Sequence, residues 1–113
     1  MSDDQPSSVE LVRRYLRAQN LEQVGRVDDA VELYESAVSS GFDSTGPYDR
    51  LIAVYAHRAQ HRDVVRVATA ALAQVHTHEG KREWYDRMRR DAERALERTP
   101  PAAPKRRPDP RGR

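Results

Sequence analysis

Apolar side chains recur at three- and four-residue steps in five successive stretches of this chain, which is the spacing of one face of an α-helix. No segment shows the strict alternation of apolar and polar residues that indicates a half-buried strand. Short helices of this kind are marginal in water on their own, so they must be stabilised by packing on one another. Because the turns between them are short, neighbouring helices are expected to be antiparallel. The sequence therefore predicts an all-α fold.

Capping and turn signals divide the predicted helices. Ser7-Ser8-Val9-Glu10 fits a capping box, in which a hydroxyl and a carboxylate each accept a hydrogen bond from a backbone N–H at the start of a helix. Gly25 is placed to end that helix, because glycine adopts the left-handed conformation of a helix C-terminus without steric cost. The apolar face of the first helix is predicted to comprise Val12, Tyr15, Leu16, Ala18, Leu21 and Val24. The other helices are predicted at 27–40, at 46–60, from 63 onwards and at 79–98.

The composition limits the classes of protein to which the chain can belong. Its 113 residues, 37% of them hydrophobic and 34% charged, suit one domain with a modest core. The absence of cysteine excludes disulfides, thiolate metal sites and a cysteine nucleophile. The acidic segment 1–6 lacks the apolar stretch of a secretory signal, and no run approaches the ~18 apolar residues of a membrane-spanning helix. A cytoplasmic protein is therefore expected.

The charge is distributed unevenly along the chain. Residues 99–113 carry five basic side chains against Asp109, a net charge of +4, so the rest of the chain contributes −2 to the overall +2. This proline- and arginine-rich tail cannot build a core and is expected to be disordered, as is segment 1–6, which leaves 7–98 as the helical domain. Nucleic acid could bind the tail without sequence preference, and a solubilising role is the alternative. Its basic residues are Lys105, Arg106, Arg107, Arg111 and Arg113.

A weak internal repeat relates successive helix pairs at a spacing of 34 residues. The spacing maps Ala30 onto Val64 and Ala37 onto Ala71, so small or branched side chains recur where two helices would pack closely. It also maps Gly25, at the predicted turn, onto Ala59. The recurrence predicts two similar helical hairpins followed by a fifth helix.

The two hairpins together resemble the tetratricopeptide (TPR) motif, a 34-residue helix–turn–helix unit. The resemblance covers residues 11–78, and the helix at 79–98 is similar to the capping helix that closes TPR arrays. Ala59 replaces the turn glycine of the second unit, and Arg14 stands where the first unit would have an aromatic residue. The matching patterns are Ala30-x3-Tyr34-x2-Ala37 in the first unit and Tyr48-x2-Leu51-x3-Tyr55 in the second.

This resemblance implies a right-handed solenoid of two antiparallel helix pairs with a fifth, capping helix. It also implies a concave face, built from the first helix of each pair, that binds a peptide or another protein. Carried over position by position, that face would present Val12, Tyr15, Gln19, Glu22 and Gln23 of the first unit and Asp49, Ala53, Ala56 and His57 of the second. The partner-binding residues among them would be Tyr15, Gln19, Gln23, Asp49, Ala53 and His57. The alternative to binding is an ordinary solvated helix face. Two units form a short array, so a homodimer is a further alternative.

No pattern in the sequence indicates catalysis. The glycines are dispersed, no serine stands in a nucleophile-elbow sequence, and many carboxylates neighbour arginines that would keep them ionised. His57 and His61 are four residues apart and could face one metal, but His61 is expected in a turn and no glutamate lies between them. We therefore expect a non-catalytic interaction module without cofactor or metal. The alternative is a nucleic-acid-associated factor that uses the basic tail.

Overall fold

A computed structural model of the chain describes residues 7–75 and 79–98. Within these ranges the chain forms α-helices and turns and no strand, so the all-α prediction is confirmed. None of the helices described there has both the length and the apolar character needed to cross a bilayer. The helices are α1 (Ser8–Gln23), α2 (Val27–Ser39), α3 (Thr45–His57), α4 (His61–Gln74) and α5 (Glu79–Arg98).

The helix starts follow the capping signals in part. The Ser7 hydroxyl accepts a hydrogen bond from the Glu10 backbone N–H at 3.1 Å, as the capping box predicts. The reciprocal half of the box is absent, because the Glu10 carboxylate accepts from Arg14 Nε at 3.2 Å instead. The prediction that His61 lies in a turn is wrong, since His61 is the first residue of α4. Gln60 precedes it and donates from its side-chain amide to the Asp63 carboxylate at 3.1 Å, which stabilises this earlier start.

The turns after α1 and α3 share one hydrogen-bond pattern. The Arg26 N–H donates to the Leu21 carbonyl, and the Gln60 N–H donates to the Tyr55 carbonyl, both at 2.8 Å. This is the bond of a Schellman motif, which needs a residue in the left-handed conformation one position earlier. Gly25 fills that position with a φ of 87°, and Ala59 fills it with a φ of 59°. The second turn therefore carries backbone strain that the first avoids.

Ala59→Gly is expected to raise the free energy of unfolding by about 0.5–1 kcal/mol. The left-handed conformation costs a non-glycine residue roughly 1–2 kcal/mol, and the greater freedom of glycine in the unfolded chain offsets about half of that. The matched control is Gly25→Ala, where an added Cβ would contact nothing. Only the cost of the left-handed backbone conformation changes there, so this variant should lower the free energy of unfolding. Urea denaturation measures both variants. A destabilised Ala59→Gly chain would contradict the left-handed turn.

The helices pack in chain order. Each of α1 to α4 lies against the next helix, and α5 lies against α4 and also touches α3. Fully buried alanines on α1, α2 and α4 let neighbouring helices approach closely, while tyrosine and branched side chains fill the remaining space. The core contains Ala18, Ala30, Tyr34, Val38, Tyr48, Leu51, Ile52, Tyr55, Val64, Val67, Ala68, Ala71, Val75, Tyr85 and Ala92.

Half of the predicted apolar face of α1 is exposed. Val12 is 43% exposed, Leu16 51% and Val24 71%, and Val9 on the same helix is 64% exposed. The prediction is wrong for Leu16 and Val24, because α1 packs chiefly on α2. Val12 was also expected on the concave face, and it lines neither of the hollows described below. Only Leu11 and Ala18 among the residues of α1 are buried. The helical period alone does not reveal how many sides of a helix have a neighbour.

Candidate functional site

Two open hollows lie between α1 and α3 and together form what we call the α1–α3 groove. The first has a volume of about 330 Å³ and the second of about 300 Å³. Glu22 of α1 and Arg50 of α3 line both hollows. The first is completed by Gln19, Gln23 and Tyr34, and the second by Val27, Ala53, Val54, His57 and Arg58. The groove is therefore polar at one end and more apolar at the other.

An ion pair joins the two walls of the groove. Arg50 donates to the Glu22 carboxylate from both Nε, at 3.1 Å, and Nη2. The Tyr34 hydroxyl of α2 donates to the same carboxylate at 2.8 Å, so three helices meet at Glu22. The Arg50 hydrogen bond outweighs the effect of burial and lowers the pKa of Glu22 below its ordinary value, while the pKa of Tyr34 is raised by burial and by its bond to Glu22. Glu22 is therefore ionised and Tyr34 neutral at neutral pH.

A second network of the same kind joins α2, α3 and α4. The Tyr55 hydroxyl donates to the Glu35 carboxylate, and Arg66 donates to both Glu35 oxygens, at 3.0 and 2.6 Å. Arg66 also donates to Asp63 at 3.1 Å and lies 6.0 Å from the centre of the Tyr55 ring. Hydrogen bonding to Glu35 raises the pKa of Arg66, and burial raises the pKa of Tyr55. The network fixes the second helix pair on the first.

A third network attaches α5 to α3 through Asp49. The Tyr85 hydroxyl donates to Asp49 at 2.8 Å, and Lys81 Nζ lies 3.0 Å from the other carboxylate oxygen. Lys81 also lies 4.4 Å from the centre of the Trp84 ring, a cation–π distance. Burial and the bond to Asp49 raise the pKa of Tyr85. In all three networks, which we call tyrosine–carboxylate–cation triads, a buried phenol and a cation share one carboxylate.

The structure brings four of the six predicted partner-binding residues together in the groove: Gln19 and Gln23 in the first hollow, Ala53 and His57 in the second. Tyr15 lies beside it, where its hydroxyl accepts a hydrogen bond from Gln19 Nε2 at 3.0 Å. Its half-buried ring packs where a Cβ on Gly46 would overlap it, so glycine at this position permits the Tyr15 side chain to lie against α3. Asp49 lines neither hollow, because its carboxylate is engaged by α5.

The sequence analysis placed Glu22 on the concave face, but it did not include Arg50 or the bonds that Arg50 and Tyr34 make to Glu22. Glu22 and Arg50 stand 28 positions apart, and Glu22 and Tyr34 stand 12 apart. Helical periodicity carries no information at such separations, because the pairing depends on which helices meet. One signal was available, since Arg50 stands 34 positions after Leu16 on the equivalent helix. A charged residue in one unit and an apolar one in the other indicates that the position is not core.

The two candidate metal ligands lie at different sites. His57 lines the second hollow of the groove, whereas His61 lines a separate hollow of about 120 Å³ with Val64, Met88 and Asp91. In the ranges 7–75 and 79–98, no three or more His, Asp or Glu side chains are grouped so that they could hold a metal ion. The basic tail residues Lys105, Arg106, Arg107, Arg111 and Arg113 lie outside the described residues.

Comparisons with known proteins do not assign the chain to a family. No protein-family model, curated protein or solved structure matches the chain.

Proposed function

We propose that this chain is a non-catalytic protein-interaction module that binds a peptide or a segment of a partner protein in the α1–α3 groove. The observation that carries the proposal is that Gln19, Gln23, Ala53 and His57 line one groove. The two amides can donate and accept hydrogen bonds along a peptide backbone, and the small Ala53 leaves room for a side chain. The groove offers an open surface of the kind that a peptide can cover.

The internal repeat supports a TPR-like arrangement for this module. Gly25 and Ala59, which stand 34 positions apart, occupy equivalent left-handed positions in equivalent turns. The helices also pack in chain order, as they do in solenoids built from helical hairpins. On this proposal the chain is a right-handed solenoid of two hairpins, α5 is its capping helix, and the groove is its concave face.

The electrostatics of the groove favour binding over catalysis. A general acid or base works best with a pKa near the operating pH. Glu22 has a pKa below its ordinary value, because Arg50 and Tyr34 both hydrogen-bond to its ionised form. Tyr34 has a raised pKa and donates a hydrogen bond to Glu22, so neither group is poised to exchange protons with a substrate. The triad is better suited to holding the groove walls rigid.

Ala53→Arg is expected to abolish partner capture because it fills the second hollow with a charged side chain. Arginine favours the helix almost as well as alanine, and Ala53 is exposed, so the fold should be retained. The matched control is Ala73→Arg, which makes the same change at an exposed position of α4 outside the groove. Capture from nuclease-treated lysate of the source cell identifies the partner, and titration with the purified partner measures the dissociation constant.

We expect the dissociation constant to rise at least about tenfold in Ala53→Arg, which corresponds to about 1.4 kcal/mol, and to stay unchanged in Ala73→Arg. Equal capture by both variants would contradict a groove site. Binding that disappears with nuclease, or with removal of residues 99–113, would move the function to nucleic acid and the basic tail.

A further inference from the structure

A second surface, separate from the groove, is formed by apolar residues on α1. Val9, Val12 and Leu16 follow one another at steps of three and four residues, so they lie along one line of the helix, and all three are exposed. None of them lines either hollow of the α1–α3 groove. We call these three residues the α1 stripe. Contiguous exposed apolar residues on a helix mark a contact surface more often than isolated ones do.

The internal repeat relates the α1 stripe to the side of α3 that meets α1. Val12 and Leu16 stand 34 positions before Gly46 and Arg50. Gly46 lies against a side chain of α1, and Arg50 binds Glu22, so this side of α3 contacts a helix. The equivalent side of α1 carries the exposed Val12 and Leu16, and no helix in the part of the chain that the structure describes covers it.

Two arginines flank the α1 stripe. Arg13 and Arg17 are one helical turn apart and exposed, and in the part of the chain that the structure describes neither forms an ion pair. Their neighbour Arg14 is different, because it binds Glu10 and donates to the Ser36 hydroxyl at 2.6 Å. The other flank carries the neutral amides of Gln19 and Gln23. The surface is therefore an apolar line with positive charge on one side.

A second copy of this chain complements the surface poorly. In an antiparallel pairing of two α1 helices, the same flanks meet, so Arg13 and Arg17 would face their own copies. In a parallel pairing, they would face the neutral flank of Gln19 and Gln23. Like charges repel, and an amide gives no ion pair, so neither arrangement satisfies the arginines. A partner with carboxylates beside its apolar residues would satisfy both them and the stripe.

We infer that the α1 stripe docks an amphipathic helix whose apolar face is bordered by aspartate or glutamate. A helix with apolar residues at positions i, i+3 or i+4, and i+7 matches the spacing of Val9, Val12 and Leu16. Its acidic border would lie against Arg13 and Arg17. This surface is additional to the groove and does not depend on the groove function.

Two synthetic helical peptides test the inference with the full chain. Both carry leucines at i, i+3 and i+7, and one is bordered by glutamates where the other has lysines. We expect the glutamate peptide to bind at least about tenfold more tightly in fluorescence anisotropy, and its affinity to fall with added salt because exposed charges are screened. Equal binding of both peptides, or no binding of the glutamate peptide, would overturn the inference.

Matched variants locate the contact. Leu16→Ser should weaken binding of the glutamate peptide about tenfold, because it removes apolar surface that the peptide would bury. Val24→Ser, at an exposed residue outside the stripe, should leave binding unchanged. Reversing Arg13 and Arg17 to glutamate should switch the preference to the lysine peptide. Ala53→Arg should have no effect, which separates this surface from the groove. Equal effects of Leu16→Ser and Val24→Ser, or a dimer in sedimentation that Leu16→Ser dissociates, would refute it.

Discussion

Tyr85→Ala is expected to lower the free energy of unfolding by about 3–5 kcal/mol, the range for removing a buried aromatic ring. Tyr85 is a fully buried aromatic residue of α5, and it belongs to the core cluster shared by all five helices. The substitution leaves a cavity under α5 and also removes the hydroxyl that donates to Asp49. A domain of this size has about 5–15 kcal/mol of stability in total, so the variant should be only marginally folded. Urea denaturation followed by circular dichroism measures the loss.

Tyr85→Phe is the matched control, because it keeps the ring and removes only the hydroxyl. Its expected cost is about 1–2 kcal/mol, since Asp49 loses one hydrogen bond but retains Lys81 at 3.0 Å. The difference in the free energy of unfolding between Tyr85→Ala and Tyr85→Phe therefore measures the contribution of ring packing. If Tyr85→Phe cost as much as Tyr85→Ala, the bond to Asp49 and not ring packing would hold α5 in place.

The features that the sequence predicted are those fixed by nearby residues. The helix at Ser8–Gln23 follows from the Ser7 cap and Gly25, and the buried alanines and tyrosines of the repeat follow from their three- and four-residue spacing. Each of these signals acts within one or two helical turns of the chain. The grouping of Gln19, Gln23, Ala53 and His57 came instead from the resemblance to a known repeat, which supplies the relation between helices that spacing lacks.

The features that the sequence did not predict depend on which helices meet. Asp49 was expected on a binding face, but α5 touches α3 there and engages Asp49 through Tyr85 and Lys81. Val12 and Leu16 have the spacing of core residues, yet no described helix covers them. In each case the sequence around the residue is compatible with either outcome, and the tertiary contact decides.

The three tyrosine–carboxylate–cation triads explain how so small a core holds five helices in one arrangement. Each phenol is buried as a core residue, and its hydroxyl reaches the edge of the core, where it meets a carboxylate from another helix. A partly buried carboxylate is stable only when a positive charge pairs with it. The paired cations in the three triads are Arg50, Arg66 and Lys81. Apolar packing permits several rotations of one helix against another, whereas a directed hydrogen bond permits few. The triads thus contribute specificity as well as stability.

Glu22→Gln is expected to lower the free energy of unfolding at neutral pH by about 1–2 kcal/mol, between the values for exposed ion pairs and for hydrogen bonds to charged groups. The loss should depend on pH. The hydrogen bond from Arg50 lowers the pKa of Glu22 in the folded chain below its unfolded value of 4.5. A carboxyl group with a lowered folded pKa contributes stability above its unfolded pKa, and that contribution disappears as the pH falls through the folded pKa. The difference in the free energy of unfolding between wild type and variant, which we call the gap, should therefore be constant above pH 4.5 and should narrow below it.

Denaturation at a series of pH values from neutral to about pH 3 measures this gap, with Glu32→Gln as the control. Glu32 is an exposed glutamate on α2 and lines neither hollow of the groove, so its replacement should change stability by no more than about 0.5 kcal/mol. A gap for Glu22→Gln that stays constant through the acid range would mean that the lost packing of the side chain, and not its charge, accounts for the effect. The Arg50 ion pair would then contribute little, and the rigidity of the α1–α3 groove would rest on the Tyr34 hydroxyl and on the contact of the Tyr15 ring with α3 at Gly46.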